Sequence, residues 1–346
     1  MMTLAENHRL PASPVASPEY LPFKLDLVGG RVLWLRLTAA QRRDAAFLDE
    51  RALPRDAEAV WMPLKSLTEV GAAEGPGANA IFHIGHCGST LLSRLLDGWS
   101  GVQGLREPLP LRTLADAWPG LHQAQSRLAP LQAEQLLRAL WMRWSQPLSP
   151  GNRTLVKATS SCNGLLGPLF AQVPQLRTVL LDQPLRPYLA TLLKSPTSVL
   201  DAAQAAGERL IDLQSRGFAE GVALHALSLP TQCAMGWLAE RVRFAALAAD
   251  PRVLRVDFES LLARPGATVH AVAAHLALDP AGVAAALESP GWGRYSKAQA
   301  HGYGRDDRAH DLALAIERHG PDIASGVAWV DACGRRYPAL QAFIGS

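Results

Sequence analysis

Cysteines are few in this sequence, and long hydrophobic runs are missing. Only four of the 346 residues are cysteines, and no two of them form a C-x-x-C pair. The sequence therefore argues against a zinc site and against a disulfide framework. No apolar run approaches the length of a membrane span, and residues 1–20 lack the apolar core of a signal peptide. These absences predict a cytoplasmic protein with no membrane partner and no metal.

Strong charge of one sign is missing as well. The formal net charge is +3, and lysines and arginines do not cluster in runs. This composition argues against the basic footprint of a nucleic-acid-binding protein, whereas a mild positive balance suits a small anionic ligand. Hydrophobic residues make up 48% of the chain, which is enough for a globular core. The oligomeric state stays open at this stage.

Composition divides the chain into three parts. In the N-terminal part, two extended apolar runs flank Gly29-Gly30, a pattern that predicts a β-hairpin. Thr38 is typical of an N-cap for a helix from residue 39 to about 50, and residues 60–64 predict another strand. A glycine- and alanine-rich stretch over 71–77 predicts a linker. The three predicted parts are a flexible tail (1–18), an N-terminal β/α unit (19–75) and a main domain (76–346).

From residue 78 onward, short buried-type strands alternate with amphipathic helices. The predicted strands are 80–84, 102–105, 154–158, 178–182 and 252–258. The predicted helices are 90–99, 129–144, 185–194, 230–249 and 268–276. This alternation predicts an α/β fold with a parallel sheet flanked by helices, and ligands of such sheets bind beyond the carboxyl ends of the strands.

A glycine-bearing turn follows the first of these strands. The segment Gly85-His-Cys-Gly-Ser-Thr-Leu-Leu92 passes from an apolar run into a leucine-rich helix. Backbone N–H groups of such a turn, together with the helix N-terminus, form a site for phosphate. The Gly-Lys-[Ser/Thr] ending of nucleoside triphosphatases is absent. The sequence therefore predicts a P-loop-like anion site of a different kind.

This turn and three further segments resemble the sulfotransferase family, in particular its bacterial members. That family uses 3′-phosphoadenosine 5′-phosphosulfate (PAPS) as cosubstrate on a P-loop-type fold. The resemblance covers about residues 78–310 and leaves out the N-terminal unit. It rests on four segments in the family's order, which are Gly85–Leu92, Leu105-Arg-Glu-Pro108, the segment 179–195 and the segment 253–265.

The resemblance implies three catalytic residues. Glu107 follows the second strand, should face the glycine turn, and would act as the general base toward the acceptor. An ion pair between Glu107 and Arg106 or Arg112 is the open structural alternative. Lys157, at the end of the third strand, would stabilise charge near the transferred group. His86 stands where the family usually carries lysine or arginine.

The resemblance also implies three groups of binding residues. Gln183 stands where the family carries an arginine for the 3′-phosphate, and Arg186 is a candidate to replace it, with a solvated helix residue as the alternative. The implied nucleotide-binding residues are Gly85, His86, Cys87, Gly88, Ser89 and Thr90 in the turn, Gln183, Arg186 and Thr191 in the third segment, and Arg294, Ser296 and Lys297 in a late loop.

The sequence thus predicts an enzyme that transfers a sulfuryl group from PAPS to the hydroxyl or amine of a small-molecule acceptor. Two alternatives stay open. One is a non-catalytic nucleotide- or phosphate-binding protein on the same fold, favoured by His86 and Gln183. The other is a small-molecule phosphotransferase, for which Asp182 is the one candidate Mg²⁺ ligand. The acceptor itself is not specified by any of these motifs.

Overall fold

The computed structural model of the chain describes residues 14–69, 77–149, 151–295 and 300–344. Strands and helices within these ranges are numbered in chain order. The strands are β1 (Tyr20–Asp26), β2 (Arg31–Arg36), β3 (Ala59–Pro63), β4 (Asn79–His83), β5 (Val102–Arg106), β6 (Arg153–Lys157), β7 (Thr178–Asp182) and β8 (Val253–Asp257). The helices are α1 (Ala39–Asp44), α2 (Ser89–Asp97), α3 (Leu109–Ala117), α4 (Pro130–Trp144), α5 (Leu166–Gln172), α6 (Leu185–Leu193), α7 (Pro196–Ser215), α8 (Leu229–Ala245), α9 (Phe258–Ala263), α10 (Pro265–His275), α11 (Gly282–Leu287), α12 (Arg305–Arg336) and α13 (Gln341–Ile344).

The main sheet is parallel and has the strand order β5-β6-β4-β7-β8. All five of its strands coincide with predicted strands to within one residue at each end. Parallel register brings the carboxyl ends of the strands to one edge, where Arg106 lies beside Lys157 and Asp182 beside Asp257. The predicted α/β fold with a parallel sheet flanked by helices is confirmed.

Burial explains why most of these strands are rich in apolar residues. Every residue of β4, β5 and β7 is buried, because helices cover both faces of the sheet. On one face, α2 packs Leu92, Leu95 and Leu96 into the core, and each of these is at most 1% exposed. The helix that follows the glycine turn is thereby fixed rigidly to the sheet.

The N-terminal unit is more elaborate than the predicted hairpin. It is a three-stranded antiparallel sheet in the order β1-β2-β3, with the predicted β1–β2 hairpin and the predicted third strand both present. The expected helix over 39–50 ends early, at Asp44. The C-cap residue Ala45 leaves the helical conformation, with ψ of 118°. The carbonyls of Arg43 and Ala45, which the ended helix leaves without helical partners, accept from the guanidinium of Arg106.

Two long helices were not predicted. Helix α7 carries a glycine at residue 207, and α12 carries Gly320-Pro321, and such residues usually signal an interruption. Helix α12 does bend there, with non-helical backbone angles at His319. Residues 1–13 of the predicted tail (1–18) and residues 71–76 of the predicted linker (71–77) lie outside the described residues, and the division into three parts stays a prediction. Across the described ranges, no helix combines the length and the apolarity needed to cross a membrane.

Candidate functional site

The turn between β4 and α2 has the backbone geometry of an anion cradle. Three of its residues are left-handed, with φ of +93° at Gly85, +53° at His86 and +73° at Gly88. Helix α2 begins at Ser89, directly after Gly88, which offers no side-chain cap. The N–H groups of the first turn of a helix have no partner within the helix, so a ligand can take their place as the cap.

A cavity of about 920 Å³ lies at the carboxyl edge of the sheet, against this turn. The turn, the ends of β5 and β6, the junction of α6 with α7, and the N-terminus of α12 all contribute to its wall. Polar and charged residues that line it include His86, Ser89, Thr90, Glu107, Lys157, Thr191, Lys194, Ser195, Ser198, Arg294, Arg305 and Arg308. The predicted turn, base and lysine thus share one cavity.

Glu107 and Lys157 form an ion pair in the wall of this cavity. The ammonium of Lys157 donates to Oε1 of Glu107, and the Glu107 N–H donates to the Lys157 carbonyl at 2.6 Å. The Lys157 side chain is 1% exposed and that of Glu107 is 17% exposed. Glu107 therefore pairs with Lys157 and not with Arg106, the alternative left open above, because Arg106 pairs with Asp97. A carboxylate that can accept a proton and an ammonium cation are therefore in direct contact in the cavity wall.

His83 is a cavity residue that the sequence reading missed. It ends β4 and is 6% exposed. Its Nδ1 accepts the Gly85 N–H at 3.0 Å, and Nε2 lies 3.0 Å from the Ala158 carbonyl. Because a nitrogen that accepts a hydrogen bond carries no proton, the proton is assigned to Nε2, which then donates to Ala158. The imidazole braces the turn. A histidine that ends a buried strand just before a glycine turn was the available signal.

Gln183 does not line the cavity, which corrects its expected contact with the nucleotide. It is completely buried, its side-chain amide donates to the His86 backbone carbonyl at 3.1 Å, and its backbone carbonyl accepts from the Trp237 indole at 2.9 Å. Its position directly after β7, next to β4 in the sheet, puts its side chain beneath the turn. Gln183 holds the backbone of the turn instead of reaching the ligand.

Asp182 is neutralised by two arginines. It is 3% exposed, and its Oδ2 accepts from Arg241 at 3.1 Å and from Arg255 at 2.9 Å. A carboxylate buried in this way is engaged by its partners and is unavailable to a metal ion. Among the described residues, no group of three or more histidine, cysteine, aspartate and glutamate side chains is placed to hold one. The one candidate Mg²⁺ ligand of the phosphotransferase alternative is thereby removed.

The junction of α6 and α7 differs from the expected 3′-phosphate segment. Arg186 is exposed and is not among the described residues that line the cavity. Thr191 does line it, with its hydroxyl donating to the Pro187 carbonyl at 2.8 Å. Three further residues of this junction line the cavity and were not predicted: Lys194 at the end of α6, and Ser195 and Ser198 at the start of α7. A lysine followed by an N-cap serine and a 20-residue helix was the signal for them.

The late loop contributes Arg294 to the cavity wall, whereas Ser296 and Lys297 lie outside the described residues. Beyond it, the N-terminus of α12 supplies Arg305 and Arg308, which were not predicted. Arg308 pairs with Glu259 and stacks over the Phe258 ring at 4.9 Å. Asp311 bonds both to Lys194 at 2.8 Å and to the Tyr303 hydroxyl at 3.1 Å. Helices α6 and α12 are thus linked beside the cavity.

Comparisons with known proteins give matches among solved structures. No protein-family model matches the chain, and no curated protein matches its sequence. Solved structures that are similar to it include sulfotransferases. A sulfotransferase domain from the curacin biosynthetic pathway is 13% identical, covering 71% of this chain and 91% of that one, with a TM-score of 0.39. A sulfotransferase from Alicyclobacillus acidocaldarius is 14% identical, covering 74% of this chain and 96% of that one, with a TM-score of 0.35. A mouse sulfotransferase in complex with PAP is 9% identical, covering 82% of this chain and 96% of that one, with a TM-score of 0.42.

Cys87 lies in the floor of the turn as a buried, protonated thiol. Burial, with a smaller contribution from the charge of Asp182, raises its pKa to about 12. Its Sγ lies 3.3 Å from the Leu181 carbonyl. The thiolate is the nucleophilic form of cysteine, so this thiol is suited to packing and not to covalent chemistry. Cys87 contributes backbone to the site.

We expect all four thiols to be unreactive in the folded protein. Each is buried, and burial raises the pKa of Cys162, Cys233 and Cys333 to about 11. At pH 8 less than about one thiol in a thousand is then ionised. Ellman's reagent should label fewer than one thiol per chain within minutes, and four after unfolding in guanidinium. A thiol of the folded protein that reacts within seconds would contradict this.

Proposed function

We propose that this chain transfers a sulfuryl group from PAPS to the hydroxyl or amine of a small-molecule acceptor. One observation carries the proposal: the Glu107–Lys157 ion pair stands in the same cavity as the uncapped N-terminus of α2. Sulfuryl transfer needs a proton acceptor for the attacking group and positive charge near the leaving phosphate. The Glu107 carboxylate and the Lys157 ammonium are such a proton acceptor and such a positive charge, and both line this cavity.

The cavity suits a nucleotide cosubstrate. Its volume of about 920 Å³ is at the upper end of the range for small-molecule sites. The N–H groups at Gly88, Ser89 and Thr90, with the hydroxyls of the last two, would hold the 5′-phosphosulfate. His86 would lie beside the same phosphate. The Phe258 and Trp292 rings in the wall offer apolar contact for the base.

We assign the 3′-phosphate to the start of α7. Gln183 and Arg186 are unsuited, because the first is buried beneath the turn and the second is exposed and does not line the cavity. Lys194 supplies an ammonium, and Ser195 and Ser198 supply hydroxyls at the N-terminus of a 20-residue helix. A helix N-terminus favours negative charge, and a lysine beside it adds to that preference. In this proposal Lys194, the C-cap of α6, takes the place of the arginine that the family carries at the position of Gln183.

The reaction would proceed by in-line displacement at sulfur. The acceptor oxygen or nitrogen forms the new bond to sulfur while the bond from sulfur to the bridging phosphate oxygen breaks. The acceptor proton passes to the carboxylate of Glu107, and the electron pair of the broken bond leaves on the 5′-phosphate. Lys157 and the N–H groups of the turn stabilise this negative charge. The products are adenosine 3′,5′-bisphosphate (PAP) and the sulfated acceptor.

A ligand panel followed by a turnover assay tests the proposal. A ligand that binds only the folded protein adds about 2.7 kcal/mol of stability at a hundred times its Kd. PAP and PAPS should therefore raise the melting temperature more than AMP, ADP or ATP does. Release of PAP from PAPS should then be accelerated by a panel of phenols, alcohols and amines. Binding of PAP without turnover of PAPS would support the non-catalytic alternative, and binding of ATP alone would support a phosphotransferase.

Lys194→Ala should remove most of the preference for PAP over AMP. A charge-assisted hydrogen bond contributes about 1.5–3 kcal/mol, which corresponds to about 10- to 100-fold in affinity. AMP affinity should stay unchanged, since AMP lacks the 3′-phosphate. The ion pair with Asp311 is exposed, so its loss should alter the free energy of unfolding by less than about 1 kcal/mol.

Competitive titration of PAP against AMP measures this preference. Arg186→Ala is the matched control, because it removes another cation of α6, one that does not line the cavity. It should leave both affinities within about twofold. A loss of PAP preference in Arg186→Ala together with full preference in Lys194→Ala would place the 3′-phosphate on α6 and refute the assignment.

A further inference from the structure

Arg106 joins three elements of the molecule through one buried guanidinium. Its side chain is 1% exposed at the end of β5. Nη1 donates to the carbonyls of Arg43 at 3.0 Å and Ala45 at 2.8 Å, at the end of α1. Nη2 donates to Asp97, in the last turn of α2. The N-terminal unit, the strand that precedes Glu107 and the helix of the anion turn are therefore tied together at this point.

Leu48 of the N-terminal unit makes backbone hydrogen bonds on both sides of Glu107 in the sequence, to Arg106 and to Leu109. The N–H of Leu48 donates to the Arg106 carbonyl at 2.7 Å, and the Leu48 carbonyl accepts from the Leu109 N–H at 3.2 Å. Leu48 is 3% exposed and belongs to the segment that follows α1. The residues on either side of the turn at Glu107 are thus held by one residue of the N-terminal unit.

The backbone of Glu107, between these two hydrogen bonds of Leu48, is strained. Glu107 has φ of +52°, a left-handed conformation that non-glycine residues rarely adopt. Such a conformation costs free energy and persists only where the surrounding structure over-determines it. The surrounding bonds are those of Leu48 on one side and of the Lys157 carbonyl on the other. In this conformation the Glu107 carboxylate meets the Lys157 ammonium in the cavity.

We propose that residues 39–52 of the N-terminal unit are a positioning element for Glu107. Through the carbonyls of α1 and the backbone of Leu48, this segment fixes Arg106 and the left-handed turn after it. The carboxylate is thereby aimed at the reacting group. The proposal rests on the proposed function, in which Glu107 is the base. It gives the N-terminal unit, which the family resemblance leaves out, a part in the chemistry.

Arg106→Lys tests the positioning role. Lysine keeps a charge for Asp97 but lacks the planar fork that reaches the α1 carbonyls. Turnover of PAPS should fall by about 10- to 100-fold while the Kd of PAP stays within about threefold. In a Glu107→Gln background, Arg106→Lys should cause no further loss, because two residues that act through one step are not additive. A merely structural role would give the same loss in both backgrounds.

Arg153→Lys is the matched control. Its guanidinium also donates to a backbone carbonyl, that of Leu276 at 2.7 Å, but it begins β6 at the opposite edge of the sheet. It should leave turnover within about twofold of wild type. Equal turnover of Arg106→Lys and Arg153→Lys, with PAPS still consumed, would overturn the positioning role alone. A wild type that binds PAP but never consumes PAPS would overturn both proposals.

Thr38→Ala covers the case in which Arg106→Lys does not fold. It removes the side-chain cap and the capping box of α1, which Thr38 forms with Gln41, without altering the strand. We expect turnover to fall by about two- to tenfold, since a loosened α1 holds Arg106 less firmly, with the Kd of PAP unchanged. An unchanged turnover despite a measurably lower melting temperature would contradict the proposal.

Discussion

Replacement of Glu107 by glutamine should lower the turnover of PAPS by about 10²–10⁴-fold, which is the usual contribution of a positioned base. Glutamine keeps the shape and an oxygen for Lys157 but cannot take the acceptor proton. PAP binding should stay within about threefold, since the turn of residues 84–88 is unaltered. Stopped assays of PAP release, with isothermal titration of PAP, separate the two quantities.

Glu134→Gln is the matched control, because Glu134 is an exposed glutamate on α4 outside the cavity wall. Its turnover should equal that of wild type. Equal losses of PAP affinity and turnover in Glu107→Gln would mean that the Glu107–Lys157 pair holds the cavity together and does no proton transfer. Turnover unchanged by Glu107→Gln would remove Glu107 as the base.

Gly88→Ala should abolish tight nucleotide binding. A Cβ at this position would lie 2.1 Å from the Phe258 ring, and φ is +73°. The left-handed conformation costs an alanine about 1–2 kcal/mol, and the overlap forces either the turn or the ring to move. A displaced turn loses about two charge-assisted hydrogen bonds to the anion. Affinity for PAP should then fall by about 10²–10⁴-fold.

Gly217→Ala separates the cost of the left-handed backbone from the effect of the overlap with Phe258. Gly217 also has a positive φ, of +81°, but nothing lies within 4 Å of the position of its Cβ. It should lose about 1–2 kcal/mol of stability from the backbone alone and keep full PAP affinity. Titration of PAP and thermal unfolding of both variants give the comparison. If Gly88→Ala keeps wild-type affinity, the anion does not bind at this turn.

Local pattern was enough to predict the frame of the site. The ends of the strands at His83, Arg106, Lys157 and Asp182 were predicted to within one residue, because strands buried on both faces are rich in apolar residues. Parallel strands bring their carboxyl ends to one edge, so the glycine turn, Glu107 and Lys157 were expected to be neighbours. The cavity that they share agrees with that expectation.

The length of helices was harder to predict where glycine or proline interrupts the pattern. Helix α12 continues through Pro321 with a bend, and α7 continues past Gly207. Contacts with other helices outweigh the local preference there, as where Gly326 of α12 lies against Leu189 and Ala234. These two helices supply Ser198, Arg305 and Arg308 to the cavity, so these three cavity residues were missed together with the helices that carry them.

Local pattern was therefore enough for the sheet and the anion turn, since each depends on neighbours within about ten residues. Glu107 and Lys157 became the base and lysine candidates through the family resemblance. The pairings, in contrast, were set by the tertiary structure. It buried Gln183 beneath the turn, gave Asp182 two arginine partners and attached α1 to Arg106. Side chains far apart in the chain meet or miss each other according to how the elements pack, and a difference of a few ångströms separates a cavity wall from a buried support. Local propensity carries no information on distances of that kind.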